Sequence, residues 1–344
     1  MMEGCYTAIV TPFKGNDVDY EGFEKLLDFQ IQNGISGIVA AGTTGESPTL
    51  SWTEHKNVIE ISAKKTRGKC LCVAGTGSNS TEEALEATKF AAEKKVDAVL
   101  IVDPYYNGPS SLEIRKEYLE PIASTFPNIT IIPYVIPGRT GTQLFPEDIA
   151  ICYEKFKNVN VVKEATGNID NMRRTRELCG NDFSIISGDD GLTLKMITDD
   201  QIKAGGVISV ISNIIPKAVT DLVSLSLKGN ISSAKKIWDT IEPLTKIVSF
   251  STSEPTPFGN VLFKARNPLS IKAMMDILGM PSGGCRKPMG KLTKNGFDIA
   301  IETLRQVYQN DASIFKPIED FFGININERL NKESAMQHLY YEAY

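Results

Sequence analysis

Three features of the sequence predict a (β/α)8 TIM barrel followed by a small all-helical C-terminal domain. Eight short β-prone runs recur through the first two-thirds of the 344 residues. Most of them are continuously apolar, as strands of a parallel sheet buried on both faces are. Helical patterns separate the runs, and after the eighth run only helical patterns remain. The expected division is residues 1–225 for the barrel and 226–344 for the helical domain, with an extended tail beyond about residue 295.

The runs are, in order, YTAIVT (6–11), GIVAAG (37–42), LCVAG (71–75), DAVLIVD (97–103), TIIPYV (130–135), VNVVKE (159–164), FSIIS (183–187) and GVISVIS (206–212). Between the first two, Phe23, Leu26, Leu27 and Ile31 form an apolar stripe at helical spacing, and Asn33-Gly34 supplies the stop. The next helix opens with Ser51 and Glu54 in capping-box spacing, and Ser80 and Glu83 repeat that spacing after the third run. Beyond residue 225, ISSAKKIWDTIEPLTKIV, NPLSIKAMMDILG and DIAIETLRQVYQ each carry a helical stripe.

Composition narrows the function. A net charge of −5 without a basic block argues against nucleic acid, and no apolar run is long enough to span a bilayer. The six cysteines are scattered and form no CxxC pair, which suits reduced thiols in the cytoplasm better than disulfides or zinc. The start of the chain lacks a signal-peptide pattern. With only His55 and His338 present, histidine-based triads, metal sites and general bases have almost nothing to draw on. No Walker loop appears, and GTGSN at 75–79 lacks the rest of a dinucleotide fingerprint.

Catalytic groups of such barrels sit at the C-terminal ends of the strands. Those positions read GTTGES, DPYYN, PYVIPGRTG, VKEATGN, SGDD and VISVISN, which brings threonines, tyrosines, Arg139, Lys163 and two aspartates to one face. Lysine in apolar surroundings is shifted toward its neutral, nucleophilic form, and it attacks ketones to give an imine that acidifies the neighbouring carbon. With histidine scarce, tyrosine and threonine hydroxyls are the natural proton relay. Arginine grips carboxylates with a bidentate fork, so Arg139 suits an acidic substrate, and N–H groups of the GTTGE turn could hold a second carboxylate. Glu164 is a poor ion-pair partner for Lys163, because adjacent strand residues face opposite ways. The inventory is that of a Schiff-base aldolase or lyase acting on 2-oxo acids.

AGTTGESPTL, DPYYN, PGRTG, KEATGN, SGDD and GVISV together resemble the dihydrodipicolinate synthase family of the class I pyruvate-aldolase superfamily, over roughly residues 4–290. The resemblance implies that Lys163 forms the Schiff base with pyruvate and that Tyr134 shuttles protons to it. It makes Thr43 the link between two relay tyrosines, and Tyr106 the second of them, reaching into a neighbouring subunit. It assigns Thr44 to the pyruvate carboxylate, Arg139 to L-aspartate-4-semialdehyde, and Gly188 and Ile208 to backbone carbonyls beside the lysine. The implied reaction condenses the two substrates to 4-hydroxy-tetrahydrodipicolinate, the first committed step of lysine biosynthesis by the diaminopimelate route, with no metal or cofactor. Related sugar-acid lyases and 2-keto-3-deoxygluconate aldolases share the lysine and tyrosine; Arg139 separates this chain from them.

The family's asparagine after the relay tyrosine is Val135 here, so loop packing is expected to differ. The resemblance also implies inhibition by L-lysine at a dimer interface, through Ser47, Pro48, Trp52, His55, Asn79, Glu83 and Tyr105. It implies a homo-oligomer, a dimer of dimers.

Overall fold

The computed structural model describes residues 2–344, with only the backbone of residues 333–335 described. Eight parallel strands close into a barrel: β1 Gly4–Ala8, β2 Gly37–Ala40, β3 Leu71–Gly75, β4 Ala98–Val102, β5 Thr130–Val135, β6 Val161–Glu164, β7 Ser184–Ser187 and β8 Gly206–Ser209. β1 pairs with both β2 and β8, which closes the ring. The (β/α)8 expectation therefore holds, and the reason is visible strand by strand. Alternate residues point to opposite faces: Leu100 and Ile132 fill the lumen, while Val99 and Ile131 pack outward under the helices. Both faces exclude water, so the strands need apolar residues at every position.

The strand ends differ from expectation. β8 stops at Ser209 because the Asp190 carboxylate accepts the N–H groups of Val210 (2.8 Å) and Ile211 (3.2 Å), drawing the chain out of the sheet. β2 stops at Ala40, where Ala41 turns to φ +54°. Helix α1 (Tyr20–Gln32) starts at Asp19, whose side chain accepts from Gly22 N, and α2 (Trp52–Thr66) starts with the reciprocal Ser51–Glu54 box. The second expected box is only half formed. Ser80 accepts from Glu83 N at the start of α3 (Thr81–Glu93), but the Glu83 carboxylate turns away to the Ser78 hydroxyl at 2.5 Å.

The C-terminal region is mainly helical, with helices at Ile231–Lys246, Leu269–Leu278 and Lys294–Asn310, yet it is not all-helical. An antiparallel hairpin, β9 (Phe250–Thr256) and β10 (Gly259–Ala265), precedes the helix at 269. Its first strand alternates exposed serines with buried Thr252 and Glu254, so no apolar stripe announced it. Polar contacts help to hold it, since Glu254 accepts from Thr252 Oγ1 and from Asn295 Nδ2 (2.9 Å), while Phe250, Phe263 and buried Ala265 pack on the core. The tail then returns to the body. Phe321 and Phe322 pack 5.4 and 5.2 Å from Phe29 of α1, and β11 (Leu292–Thr293) pairs in parallel with β12 (Tyr340–Tyr341). No helix among the described residues is long and apolar enough to cross a membrane.

Candidate active site

Lys163 lies on β6 with its neighbours Val161 and Val162 fully buried, and it is itself 5% exposed. Register places it beside Tyr134 of β5, and its Nζ sits 3.9 Å from the centre of the Tyr134 ring. Among the described residues no carboxylate lies within ion-pair distance of that amine. Around the pair the lumen is apolar, with Ile186, Ile208 and Val39 in the same cluster. Gly188 completes the wall: a Cβ there would lie 3.1 Å from Lys163 Cε and 2.8 Å from Ala165 Cβ. Only glycine lets the β7 loop approach the lysine shaft so closely. The amine thus lies over an aromatic face in an apolar lining and is not locked in a salt bridge.

Glu164 faces the other way, as strand alternation requires. It is fully buried and accepts from Thr166 N (2.7 Å) and Asn171 Nδ2 (2.9 Å), and burial pushes its carboxyl up. Val135 pairs in register with Glu164, and on its other side the Asp103 N–H bonds the neighbouring Tyr134 carbonyl. Asp103 is buried and accepts from Leu144 N (3.1 Å); burial first, and the Glu164 charge after it, push its carboxyl up to about 8. An apolar valine thus stands between two buried carboxyl groups directly behind the catalytic candidates.

The turn after β2 carries Thr43 and Thr44. It is held in an uncommon conformation, with Ala41 and Glu46 both at positive φ (54° and 57°), and such backbone persists only where its surroundings enforce it. Three contacts do so. Glu46 N bonds Thr43 O (3.1 Å), Thr11 Oγ1 donates to Gly45 O (2.7 Å), and the buried Glu46 carboxylate meets Lys272 Nζ at 2.7 Å. Thr44 is buried and its hydroxyl accepts from Asn267 Nδ2 at 2.9 Å. Arg139, half-buried on the turn after β5, donates to the backbone oxygen of that same Asn267 at 2.7 Å. Burial lowers its guanidinium from the ordinary value.

Asn267 and Lys272 are site residues that the sequence reading passed over. They lie in KARNPLSIK, which carries only the signature of a helix start, and their partners stand 223 and 226 residues away. The relay residues are not joined: no hydrogen bond links Thr43, Tyr134 and Tyr106 among the described residues, and Tyr106 is 87% exposed on the loop after β4. Asp189 caps the loop after β7 through Gly191 N, and Asp190 braces β8.

The second constellation does converge. Ser47, Pro48, Trp52, His55, Glu83 and Tyr105 line one cavity of about 190 Å³, and Asn79 adjoins it by accepting from Tyr105 N (2.7 Å). The redirected Glu83 carboxylate and the Trp52 ring, 5.4 Å from His55, form parts of its wall. His55 Nε2 is 3.0 Å from Gly75 O, and burial lowers its basicity.

Residues 1–306 match the Dihydrodipicolinate synthetase family. A 4-hydroxy-tetrahydrodipicolinate synthase of Methanococcus maripaludis is 39% identical over 294 residues, covering 86% of this chain and 94% of that one. The solved structure of the 4-hydroxy-tetrahydrodipicolinate synthase of Methylacidiphilum fumariolicum superposes with a TM-score of 0.83 at 35% identity, over 92% of this chain and 99% of that one. A Cyanidioschyzon merolae relative, solved with lysine bound, gives 0.80 at 34% identity over 89% and 98% of the two chains.

Proposed function

The chain belongs to the dihydrodipicolinate synthetase family, and we propose that it works through a Schiff base on Lys163. The reaction condenses pyruvate with L-aspartate-4-semialdehyde to 4-hydroxy-tetrahydrodipicolinate, which opens the lysine branch of the diaminopimelate route. The observation that carries the lysine assignment is the buried amine over the Tyr134 ring, without a carboxylate partner, at the C-terminal end of a barrel strand.

The Lys163 amine attacks the keto carbon of pyruvate, water leaves, and an imine forms. Loss of a methyl proton gives the enamine, with Tyr134, beside Lys163 on the neighbouring strand, carrying protons at this centre. The enamine carbon then bonds to the aldehyde carbon, and the aldehyde oxygen takes up a proton. Attack of the substrate's own amino group on the imine carbon closes the ring and releases Lys163 as the free amine. Thr44, fixed by Asn267, holds the pyruvate carboxylate, and Arg139 receives the carboxylate of the semialdehyde. Thr43 lies beside Thr44 to pass protons, and the backbone at Gly188 and Ile208 borders the amine.

The exposure of Tyr106 supports its use in a neighbouring subunit's site, within a dimer of dimers. Six cysteines without a disulfide suit a cytoplasmic enzyme. The cavity at Glu83 and His55 suits L-lysine as an inhibitor: the carboxylate meets an ammonium, and Trp52 offers an apolar wall to the alkyl chain. Two assays test these assignments. Lys163→Ala is expected to show no turnover of pyruvate with the semialdehyde, and measurable turnover would overturn the mechanism. Millimolar L-lysine is expected to slow initial rates, and unchanged rates would remove the inhibitor site.

A further inference from the structure

Beyond the family match, which stops at residue 306, the tail builds one wall of a second cavity. This cavity has a volume of about 530 Å³ and lies between the helix Leu269–Leu278, the loop 283–291 and the returning strand β12. Several contacts hold the tail in place there. Arg329 donates to the carbonyls of Ile277 (3.0 Å) and Asp276 (2.5 Å), closing the end of the helix. Leu292 and Thr293 pair with Tyr340 and Tyr341. The tail comes close to Gly290, where a Cβ would lie 2.0 Å from the Tyr341 hydroxyl oxygen and displace that side chain.

The chemistry of the lining is divided. Leu269 and the tail's Leu339, both buried, supply apolar wall. Asp276 contributes a carboxylate that accepts a long hydrogen bond from Gly283 N (3.4 Å) and lies near Ser282, Lys272 and the cavity-lining His338. Burial pushes that carboxyl up, against the lowering effects of the Gly283 N–H, Lys272, Ser282 and His338. Lys287 and Lys291 line the same cavity, and neither has a carboxylate within ion-pair distance among the described residues. An apolar chamber of this size with a few convergent polar groups is the usual form of a small-molecule site.

We propose that this cavity binds an α-amino acid with an apolar side chain. The ammonium lies against Asp276, the carboxylate meets Lys287 and Lys291, and the side chain packs on Leu269 and Leu339. A simple anion would leave Asp276 repelling it, and a simple amine would face two lysines. A zwitterion satisfies both ends at once. The site is separate from Lys163 and from the Glu83 cavity, sharing no lining residue with either.

Isothermal titration of the full chain with L-leucine tests this, alongside 4-methylpentanoate, which lacks the amine, and L-leucinamide, which lacks the carboxylate. L-leucine is expected to bind, with each analogue at least about tenfold weaker, as loss of one charge-assisted contact implies. The same loss is expected in Asp276→Asn and in the double variant Lys287→Ala/Lys291→Ala. The double variant changes only exposed side chains and so keeps the fold. No heat with L-leucine, L-phenylalanine or L-methionine at about 10 mM, ten times a Kd of about 1 mM, would overturn the proposal. So would equal binding of 4-methylpentanoate, or undiminished L-leucine binding by the double variant.

Discussion

Replacing Lys272 with methionine removes the cation from an ion pair whose two side chains are 0% and 1% exposed. The ammonium is held by Glu46 Oε1 at 2.7 Å, by the Thr11 carbonyl at 2.9 Å and by the Phe13 ring 4.1 Å away. Without it, Glu46 keeps one partner, Arg286 N at 2.9 Å, and stands as a buried charge. Breaking one side of such a pair costs about 3–5 kcal/mol. Unfolding entropy near 2.1 cal/mol/K per residue gives roughly 0.7 kcal/mol per kelvin for 344 residues, so the melting temperature is expected to fall by about 4–7 °C. Lys272→Met/Glu46→Gln removes both charges and is expected to recover at least half of that loss. Glu46 also fixes the Thr43–Thr44 turn through its N–H to Thr43 O. The single variant should therefore raise the KM for pyruvate by about tenfold, or roughly 1.4 kcal/mol. Calorimetry and steady-state kinetics read both effects. A single variant melting within about 1 °C of the parent, or a double variant no better than the single, would refute the reasoning.

Asn267→Ala deletes the donor to the Thr44 hydroxyl and should lower kcat/KM by about 5–30-fold, the 1–2 kcal/mol of a buried hydrogen bond; an unchanged value would exclude a positioning role. Gly188→Ala puts a methyl against Ala165 and the Lys163 shaft, and kcat is expected to fall about 100-fold while the protein stays folded by circular dichroism. Asp103→Asn tests the buried carboxyl behind Tyr134. Because the folded-state value is raised to about 8, the native protein holds a proton that the unfolded chain gives up near pH 4. Stability from this group is full below that pH and declines as pH rises toward 8, by at most about 1.4 kcal/mol per unit. The variant should therefore gain in melting temperature over the parent between pH 5 and pH 8; a gap that does not widen with pH would contradict the assignment.

The barrel was legible because each strand must be apolar on both faces, and runs such as Val161–Val162 or Val99–Leu100–Ile101 announce that burial locally. Strand ends were not legible, because distant groups set them: Asp190 takes the N–H groups that would have prolonged β8. The hairpin at 250–265 escaped notice for the opposite reason: its first strand is rich in serine and threonine, with Glu254 tied to Thr252 and Asn295, and carries no continuous apolar run. Lys163 and Tyr134 could be picked out by family motifs, and the strand register then explains their contact. Asn267 and Lys272 act on residues more than 220 positions away, a pairing with no local trace. Glu83 had the spacing of a capping residue, and only side-chain geometry shows that it turns into the cavity instead.

The central claim is that pyruvate forms an imine with Lys163. Sodium borohydride added with pyruvate reduces such an imine to a stable secondary amine, and peptide mass spectrometry locates the adduct. The mechanism predicts one pyruvate-derived adduct on the peptide containing Val161–Glu164, at Lys163, with loss of activity in proportion to labelling. No adduct, or an adduct on any other lysine while Lys163 stays unmodified, would contradict it.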